Sequence, residues 1–567
     1  MDNLFAVIDS LELSIISSVE KLSDSEYAFE LIGGRRLWNI KVTFQPDFPY
    51  SLPKSKLLDA KLIGTLAHVG QCGTICLEED DSIIIDYQHP VKFVSYYLQE
   101  ILKLLERVSL GVYRDELYDE IEGYFCSVNK VKSFYQAKGE LEWLYLKIIK
   151  PQGHSKPSSN LPIFLSAKDQ SLPNRFSNLT TLSQLQQINV LHVPLEEPAL
   201  PPVGGNDMDA DYISSLLATV SEEQKKKVAR ELQKVSDSSV FFILLSLPRS
   251  KPERAQFLIK FRSNKSLPHP LLQQSAEWKI KVYAVARHHK EYLLERGGAY
   301  NSLSDKHVAI VGCGSVGGEV ALMLAKSGVG KLTLIDDDAL DVDNIYRHRI
   351  GGMGINFSFN KKTGIVNQCF KVGVIRDLIV TELPYVSVTA IPKKIENIDI
   401  DDTLSCADLV VVAIGSPAVS LKVNKYFIEH KIVNVIYCWN EAGGVGGHSV
   451  ILDLQNSCYE CLFSNSNGIS ANTLLSLVKP RIGQKIHKNL TGCAGVFTPF
   501  SYLDSSRTAE MASQQSVDFL LERKCSYALS WKTSHSSVTL DTTARFNNMP
   551  LKEELPLAQS QYCAACI

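Results

Sequence analysis

Two Cys-x-x-Cys pairs are the residues whose spacing most directly suggests chemistry. Cys458 pairs with Cys461, and Cys563 pairs with Cys566. Each pair can supply two thiolates to one metal ion, and four thiolates form the tetrahedral site that structural Zn2+ prefers. A shared ion would attach the end of the chain to a distant part of the same domain. Redox-active thiol pairs are the alternative interpretation.

A glycine-rich loop follows the apolar run HVAIV and precedes the helical pattern GEVALMLAKSG. Its glycines are Gly312, Gly314 and Gly317. Glycines in this position let the backbone approach phosphates, and the N-terminus of the next helix offers free N–H groups. The next apolar run ends at Asp336, where a carboxylate can bind ribose hydroxyls. The pattern therefore predicts a nucleotide site.

The residues after Asp336 favour ATP over NAD. Asn344 and Arg347 lie three positions apart, and Lys362 follows them with Lys361 as its alternative. An enzyme that cleaves ATP at the α-phosphate must neutralise charge on a pentavalent phosphorus, which fixed Arg, Lys and Asn donors can do. We therefore expect Asn344 and Arg347 at the reacting phosphate and Lys362 at the β- and γ-phosphates.

The run GCGSVG…LIDDDALDVDNIYRH resembles the adenylation domain of ubiquitin-activating enzymes and the ThiF/MoeB sulfur-carrier activators, over roughly residues 285–567. This resemblance implies ATP–Mg2+ and a protein C-terminal carboxylate as substrates, with an acyl-adenylate as product. It also implies that Arg296 reaches an ATP site, across a dimer. The family usually places Mg2+ with an Asp where this chain has Gly415. Another carboxylate must substitute, or the metal must be placed differently.

A separate thiol lies in the N-terminal part, in the run from Gly73 to Cys76 that reads Gly-Thr-Ile-Cys. The turn PDFPYSLP and His68 precede it. This pattern resembles ubiquitin-conjugating enzymes over about residues 1–150, with Cys76 as the transfer cysteine. The family's Asn after its histidine motif is absent, so its oxyanion-stabilising role is unassigned. The acidic run 78–81 raises the pKa of a neighbouring thiol, which still permits thioester exchange.

A transfer cysteine needs an acyl donor, and Cys493 in LTGCAG is the predicted first acceptor of the adenylate. A Ser/Asn/Gly-rich connection follows Cys461, where the adenylation family has its mobile crossover segment, here 462–495. Cys438 and Cys525 are the alternatives to Cys493.

The surrounding patterns predict a multidomain protein. Residues 1–150 read as an α+β domain with an amphipathic N-terminal helix over MDNLFAVIDSLELSIISSVEKL, short strands and a later helix. Residues 151–280 contain linker-like stretches, PQGHSKPSSNLP and VPLEEPALPPVGGN, and read as a small connector domain. Residues 281–567 alternate strands and helices, which predicts an α/β Rossmann-like sheet.

Composition limits the remaining classes of protein. The chain has 567 residues, a net charge of -3 and 13 cysteines. This charge does not favour nucleic acid as a partner, and no apolar run is long enough to span a bilayer. No signal peptide is apparent, so we expect a cytoplasmic protein with reduced thiols.

A conjugating unit followed by an activating unit resembles the bacterial fusion enzyme of the CBASS anti-phage systems. The resemblance implies a bacterial cytosol, a homodimer, and attachment of a cGAS/DncV-like nucleotidyltransferase to a target amine. Two other classes remain open: a sulfur-carrier adenylyltransferase without a thioester relay, and a non-catalytic nucleotide-binding scaffold. A dehydrogenase is disfavoured, since nothing resembles a hydride-transfer site.

Overall fold

The computed structural model of the protein forms two compact units. The first unit contains the described residues up to His289, and the second contains those from Lys290 onward. The described residues are 4–11, 14–77, 85–111, 113–125, 130–151, 163–168, 170, 183–273, 275–352, 355, 357–359, 366–383, 385–480, 484, 486, 488–489, 496–534 and 540–566.

A four-stranded antiparallel sheet begins the first unit, in the order β1-β2-β3-β4. Its strands are β1 (Ile16–Lys21), β2 (Glu26–Ile32), β3 (Leu37–Thr43) and β4 (Lys54–Leu57). Burial alternates along β2 because successive side chains of a strand point to opposite faces. The inward side chains Phe29 and Ile40 share one core with Leu98 and Leu105 of the long helix that follows.

The helices of this α+β region are α1 (Leu4–Asp9), α2 (Pro90–Ser109), α3 (Arg114–Asp119) and α4 (Ile121–Tyr124). The prediction of one amphipathic N-terminal helix is wrong for residues 16–21, which form β1. Ile16 and Val19 are β-branched, and the segment gains ladder hydrogen bonds by pairing with β2.

A closed seven-stranded barrel forms the rest of the first unit, in the order β10-β11-β5-β7-β6-β8-β9. Its strands are β5 (Lys130–Ser133), β6 (Glu142–Pro151), β7 (Ile163–Ala167), β8 (Ser183–Pro194), β9 (Ser238–Leu247), β10 (Ala255–Leu267) and β11 (Lys279–Arg287). Between β8 and β9 lie α5 (Ala210–Ala218) and α6 (Glu222–Leu232). The barrel takes strands from both sides of residue 150, where the sequence suggested a domain boundary, and continues past residue 280.

The second unit is built on an eight-stranded sheet in the order β16-β13-β12-β17-β18-β19-β24-β25. The strands of this unit are β12 (His307–Val311), β13 (Lys331–Ile335), β14 (Phe357–Phe359), β15 (Val366–Gln368), β16 (Ser387–Ile391), β17 (Leu409–Val412), β18 (Asn434–Asn440), β19 (Gly446–Asp453), β20 (Ser464–Asn465), β21 (Gly468–Ile469), β22 (Lys488–Asn489), β23 (Val496–Phe497), β24 (Tyr527–Lys532) and β25 (Lys552–Pro556). The three pairs β14-β15, β20-β21 and β22-β23 form separate small sheets.

Five neighbouring strands of the large sheet, β16, β13, β12, β17 and β18, are parallel. They alternate with helices as the sequence predicts for residues 281–567, so the α/β Rossmann-like prediction for this half of the chain is confirmed. The antiparallel extension by β19, β24 and β25 was not predicted. The glycine-rich start of β19 and the polar residues of β25 lack the continuous apolar pattern of buried parallel strands.

The helices of the second unit are α7 (Lys290–Arg296), α8 (Gly317–Lys326), α9 (Lys371–Glu382), α10 (Ile400–Leu404), α11 (Pro417–Glu429), α12 (Tyr502–Glu522) and α13 (Ala544–Asn548). A capping box of Ser501 and Asp504 begins α12. Ala509 and Ala512 of α12 share a core with Val320 and Leu324 of α8. This packing holds α12 against the helix that follows the glycine loop.

Among the described helices, none has the length and apolar character needed to cross a bilayer.

Candidate functional site

The glycine loop joins β12 to α8, and two of its three glycines have no room for a side chain. Gly312 has a φ of +88°, and a Cβ on it would lie 2.8 Å from the carbonyl oxygen of Ala413. A Cβ on Gly317 would lie 1.9 Å from the carbonyl oxygen of Gly312. A Cβ on Gly314 would have no neighbour within 4 Å. Gly312 and Gly317 therefore close the turn, while Gly314 faces space that a ligand can occupy.

Asp336 directly follows β13, and two backbone amides hold its carboxylate. Its Oδ2 accepts a hydrogen bond from the N–H of Cys313 at 2.7 Å, and its Oδ1 accepts one from the N–H of Asp338 at 2.7 Å. Burial raises the pKa of the Asp336 carboxyl, and the two N–H donors act against this shift. The carboxylate is fixed beside the glycine loop, where nucleotide folds bind ribose hydroxyls.

A cavity of about 520 Å3 opens beside this loop. Its walls come from the glycine loop and from the segments at the carboxyl ends of β13, β16, β17 and β18. Ligands of open parallel sheets bind in this position because the strand ends and helix N-termini meet there. The cavity is lined by Gly312, Gly314 and Asp336, three of the residues that the sequence predicts to contact a nucleotide.

Three lysines that the sequence reasoning missed also line the cavity: Lys371, Lys393 and Lys394. Lys371 is only 7% exposed, and its Nζ lies 2.9 Å from Oδ2 of Asp338. Its backbone N–H also donates to the carbonyl oxygen of Asp338 at 2.9 Å. Lys371 is the first residue of α9. A cation there is unfavourable for the helix dipole, and this anomaly is a signal that could have identified Lys371 from the sequence.

Asn344 and Arg347 contact each other, but neither is among the residues that line the cavity. Arg347 donates to Oδ1 of Asn344 at 3.3 Å, and its guanidinium lies 5.2 Å from the ring centroid of Phe500, which lines the cavity. His348 Nε2 lies 3.0 Å from the carbonyl oxygen of Cys313. Burial lowers the pKa of the His348 imidazole, and its Nε2–H donates this bond because a carbonyl oxygen can only accept. His348 thereby ties the Asn344–Arg347 segment to the glycine loop, a role that the sequence did not reveal.

Two other predicted nucleotide ligands, Lys362 and Arg296, are not among the described residues that line the cavity. Lys362 and its alternative Lys361 lie outside the described residues. Arg296 ends α7 as an exposed side chain and is not among the residues that line the cavity. Gly415 does line it, with a φ of +51° and no neighbour within 4 Å of an added Cβ.

Three consecutive carboxylates that line the cavity directly follow β13. One oxygen each from Asp336, Asp337 and Asp338 lie within 4.8 Å of one another. Carboxylate oxygens are the ligands that Mg2+ prefers. These residues fit the requirement for a substitute carboxylate that the glycine at 415 creates.

The four cysteines of the two Cys-x-x-Cys pairs are brought together in the second unit. The sulfurs of Cys458 and Cys563 lie 3.6 Å apart, as do those of Cys461 and Cys566. A disulfide would need about 2.05 Å, whereas the edge of a tetrahedral Zn2+–thiolate site, with Zn–S of about 2.3 Å, measures about 3.8 Å. The donor set and its spacing therefore fit a four-thiolate zinc site.

In the first unit, Cys76 is exposed at the end of a loop that follows β4. Its N–H donates to the carbonyl oxygen of His68 at 2.9 Å. The His68 ring lies between two carboxylates, with Nε2 3.0 Å from Glu116 and Nδ1 3.0 Å from Glu120. Partial burial, and then the charge of Glu120, raise the pKa of the Cys76 thiol. The thiol is accessible but is not activated as a free nucleophile.

The predicted first acceptor, Cys493, lies outside the described residues. Of its alternatives, Cys438 lines the cavity but is buried, and burial raises the pKa of its thiol to about 12. Cys525 is half-buried just after α12. The structure therefore gives the positions of Cys438 and Cys525, while the role of Cys493 stays a prediction.

Comparisons with known proteins give a family match in the second half of the chain and a relative that aligns with most of it. The ThiF family model matches residues 287–481, which include the glycine loop, Asp336 and Arg347. The "ATP-dependent ubiquitin transferase-like protein Cap2" of Pseudomonas aeruginosa is 21% identical over 496 residues, covering 85% of this chain and 84% of that protein. The Cap2 protein of Vibrio cholerae is 25% identical over 256 residues, 42% of this chain and 40% of its own length.

Among solved structures, Escherichia coli MccB with succinimide aligns with a TM-score of 0.33 at 19% identity, covering 47% of this chain and 67% of that one. The ThiF match falls on the parallel sheet and its cavity, and the Pseudomonas relative extends the likeness through most of the first unit. The chain is therefore similar to Cap2 proteins over most of its length, and residues 287–481 match the ThiF family.

Proposed function

We propose that the protein activates the C-terminal carboxylate of a protein substrate with ATP and transfers it, through thioesters, to an amine of a target. The relatives named as ATP-dependent ubiquitin transferase-like proteins support this class of reaction. The ThiF-family match over the nucleotide cavity supports the adenylation step.

The observation that carries the proposal is the convergence of donors on one cavity. Asp336 is held by two amides where it can accept from ribose hydroxyls, and the glycine loop exposes backbone N–H groups to phosphates. Lys371 adds a positive charge at the wall, and Arg347 lies over Phe500, which lines the cavity. Fixed cations around the α-phosphate stabilise the charge that develops when a carboxylate attacks it.

The adenylation step forms a bond between a carboxylate oxygen of the substrate and the α-phosphorus of ATP, and the bond to pyrophosphate breaks. In this step Lys371 and Arg347 neutralise the pentavalent phosphorus and the departing pyrophosphate, and Asp336 holds the ribose. Asp337 and Asp338, beside the ribose-binding Asp336, are the residues that would hold Mg2+, which supplies further neutralisation of the phosphate charge when bound.

The transfer steps follow as acyl exchanges. The Cys493 sulfur takes the acyl group and AMP leaves, and the Cys76 sulfur then takes it from Cys493. A target amine finally attacks the Cys76 thioester, so that an amide forms and the thiol is released. The exposure of Cys76 supports its role, because a macromolecular acceptor must reach it. The raised pKa of the buried Cys438 thiol argues against Cys438 as the first acceptor.

The partners follow from the same proposal. The carboxylate donor is a cGAS/DncV-like nucleotidyltransferase, the acceptor is a protein amine, and the enzyme acts in the bacterial cytoplasm as a homodimer. Arg296 is exposed, as a residue that reaches a partner subunit's ATP site must be. In this proposal, Cys458, Cys461, Cys563 and Cys566 hold one structural Zn2+ that fixes the C-terminal segment. Elemental analysis should find one zinc per chain and none in Cys563→Ser.

ATP–pyrophosphate exchange that depends on the free C-terminus of the nucleotidyltransferase is the first test. A scaffold would show no exchange, which would overturn the proposal. In Cys76→Ala, a thiol-sensitive adduct should accumulate on Cys493, as read by peptide mass spectrometry. A sulfur-carrier adenylyltransferase would instead show exchange without any adduct, and Cys76→Ala would change nothing.

A further inference from the structure

A segment of the first unit that reads as a linker lies against the loop that carries Cys76. Residues 200–207, which we call the strap, have the sequence LPPVGGND between β8 and α5. The N–H of Gly204 donates to the carbonyl oxygen of Ile63 at 2.9 Å. The hydroxyl of Tyr124 donates to the carbonyl oxygen of Pro202 at 3.1 Å. A sequence rich in Pro and Gly thus forms defined contacts.

The strap approaches the Cys76 loop so closely that glycine is required on both sides. A Cβ on Gly64 would lie 2.3 Å from the carbonyl oxygen of Pro202, and Gly64 has a φ of +84°. A Cβ on Gly205 would lie 2.7 Å from the carbonyl oxygen of Gln71, and Gly205 has a φ of +75°. Backbone packs on backbone at two places, so the strap and the loop share one fixed arrangement.

The central contact is a pair of polar side chains. The buried Gln71 donates from Nε2 to Oδ1 of Asp207 at 2.5 Å and to the carbonyl oxygen of Asn206 at 3.4 Å. Its Oε1 has no partner among the described residues. A buried amide is costly unless it is paired, so the strap supplies the contacts that make the position of Gln71 favourable.

Gln71 is linked to Cys76 through a short hydrogen-bonded turn. The N–H of Gly73 donates to the carbonyl oxygen of Gly70 at 2.8 Å, and the N–H of Cys76 donates to that of His68 at 2.9 Å. A Cβ on Gly73 would lie 2.5 Å from the carbonyl oxygen of Leu57, so β4 fixes the other side of the turn. A displacement of Gln71 must therefore move the residue before Gly73 and disturb the turn that ends at Cys76.

The strap is itself anchored on the barrel part of the unit. The N–H of Leu195, just after β8, donates to the carbonyl oxygen of Ser246 in β9 at 2.8 Å. The hydroxyl of Tyr212 in α5 donates to the carbonyl oxygen of Leu200 at 2.7 Å. Asn206 closes the strap on itself by donating to the carbonyl oxygen of Val203 at 3.0 Å. These contacts fix the strap and the residues before it to parts of the first unit outside the Cys76 loop.

We propose that the strap positions Cys76, with Gln71 and Asp207 as its positioning pair, so that the barrel sets the geometry of the transfer thiol. The consequence for acyl transfer rests on the proposed function, whereas the mechanical coupling does not. This coupling gives the barrel, which contains no other evident chemistry among its described residues, a role in the reaction.

Hydrogen–deuterium exchange on the full chain tests the coupling without any substrate. Asp207→Ala removes the charged acceptor, and the amides of residues 70–76 should exchange about 10-fold faster, the effect of losing one charge-assisted hydrogen bond. Asp207→Asn keeps an acceptor oxygen and should restore most of the protection. Glu197→Ala removes an exposed acidic residue near the strap and should leave exchange unchanged.

Alkylation by iodoacetamide, read by peptide mass spectrometry, gives a second measurement. A general loss of stability would not raise alkylation selectively at Cys76. Loosening the loop should uncover the partly buried side of the Cys76 thiol and move it away from Glu120, so its alkylation in Asp207→Ala should rise several-fold relative to the buried Cys438 of the other unit. Unchanged exchange and alkylation overturn the proposal, and so does an equal acceleration throughout α2. Failure of Cys76→Ala to block conjugation would refute the transfer role and leave the coupling result intact.

Discussion

Two regions differ in the sequence separation of the hydrogen bonds that form them: the cavity of the second unit and the Cys76 loop of the first unit. At the cavity, the bonds from Cys313 to Asp336, from Lys371 to Asp338 and from His348 to Cys313 span 23, 33 and 35 positions. At the Cys76 loop, His68 contacts Glu116 across 48 positions and Gln71 contacts Asp207 across 136.

This difference follows from architecture. A parallel βαβ unit brings the carboxyl ends of strands about 30 residues apart to one edge, so a nucleotide site forms from neighbouring segments. A loop outside regular structure has no such framework, and its position must come from whichever distant segments pack against it. The hydrogen bonds around the glycine loop and Asp336 should therefore withstand changes in remote segments, while those of the Cys76 loop should not.

The largest expected effect is the loss of amide formation in Cys76→Ala with ATP–pyrophosphate exchange retained. Cys76→Ala should abolish amide formation, because Cys76 is the proposed thiol that presents the acyl group to the target. The same variant should keep ATP–pyrophosphate exchange within about twofold of wild type, since the cavity does not use Cys76. The matched control is Cys72→Ala, a nearby exposed cysteine off the motif. Conjugation that survives in Cys76→Ala would show that the first unit has no transfer thiol.

The next effect tests the glycine loop. Gly317→Ala places a Cβ 1.9 Å from a backbone carbonyl oxygen, and should lower the free energy of unfolding of the second unit by about 3 kcal/mol. Gly314→Ala faces open space and should change it by less than about 0.5 kcal/mol. Chemical denaturation measures both. Equal losses in the two variants would mean that the loop is constrained as a whole, not at its close contacts.

A smaller effect on rate tests the lysine that sequence patterns missed. Lys371→Ala should reduce ATP–pyrophosphate exchange about 100-fold, the usual cost of one charged donor at a developing negative charge. Lys326→Ala removes an exposed lysine of α8 that pairs with Glu382, and should leave the rate unchanged. Exchange that is normal in Lys371→Ala but lost in Lys362→Ala would return the phosphate role to the residue predicted from the sequence.

The comparison also explains how far the sequence could predict the molecule. The parallel strands, Gly312, Gly317 and Asp336 were predictable because one local pattern encodes both their fold and their proximity. The four cysteines were predictable because two short-range pairs satisfy one metal geometry. The strap was assigned to a linker, since Pro and Gly content describes local flexibility and carries no information about a partner 136 positions away.

The remaining misses have the same origin. Lys371 lies outside the motif around Asn344 and Arg347, and its place at the cavity wall depends on where α9 begins, which that motif does not encode. The barrel was read as separate strands around linkers, because the closing pairs β5 with β11 and β8 with β9 join distant segments. Long-range β pairing leaves only a weak imprint on any short window of sequence.

The smallest effect concerns the carboxylates around His68. Hydrogen bonding to Glu120, and then to Glu116, raises the pKa of His68 above its ordinary value of 6.5, while hydrogen bonds from His68 help lower that of Glu120 below 4.5. The stability from a raised histidine pKa is present below 6.5 and is lost as pH rises through the folded value. The stability from a lowered carboxylate pKa is present above 4.5 and is lost as pH falls.

His68→Gln should therefore destabilise the first unit at pH 5.5 and have less effect at pH 8.5, with a difference of at most about 1 kcal/mol because both carboxylates are more than a third exposed. Denaturant unfolding at the two pH values measures it. In Glu116→Gln/Glu120→Gln, the pH dependence of the His68 substitution should vanish. A loss that grows toward alkaline pH would instead show that neutral His68 holds the loop through packing, and the Cys76 loop would then depend on the strap far more than on charge.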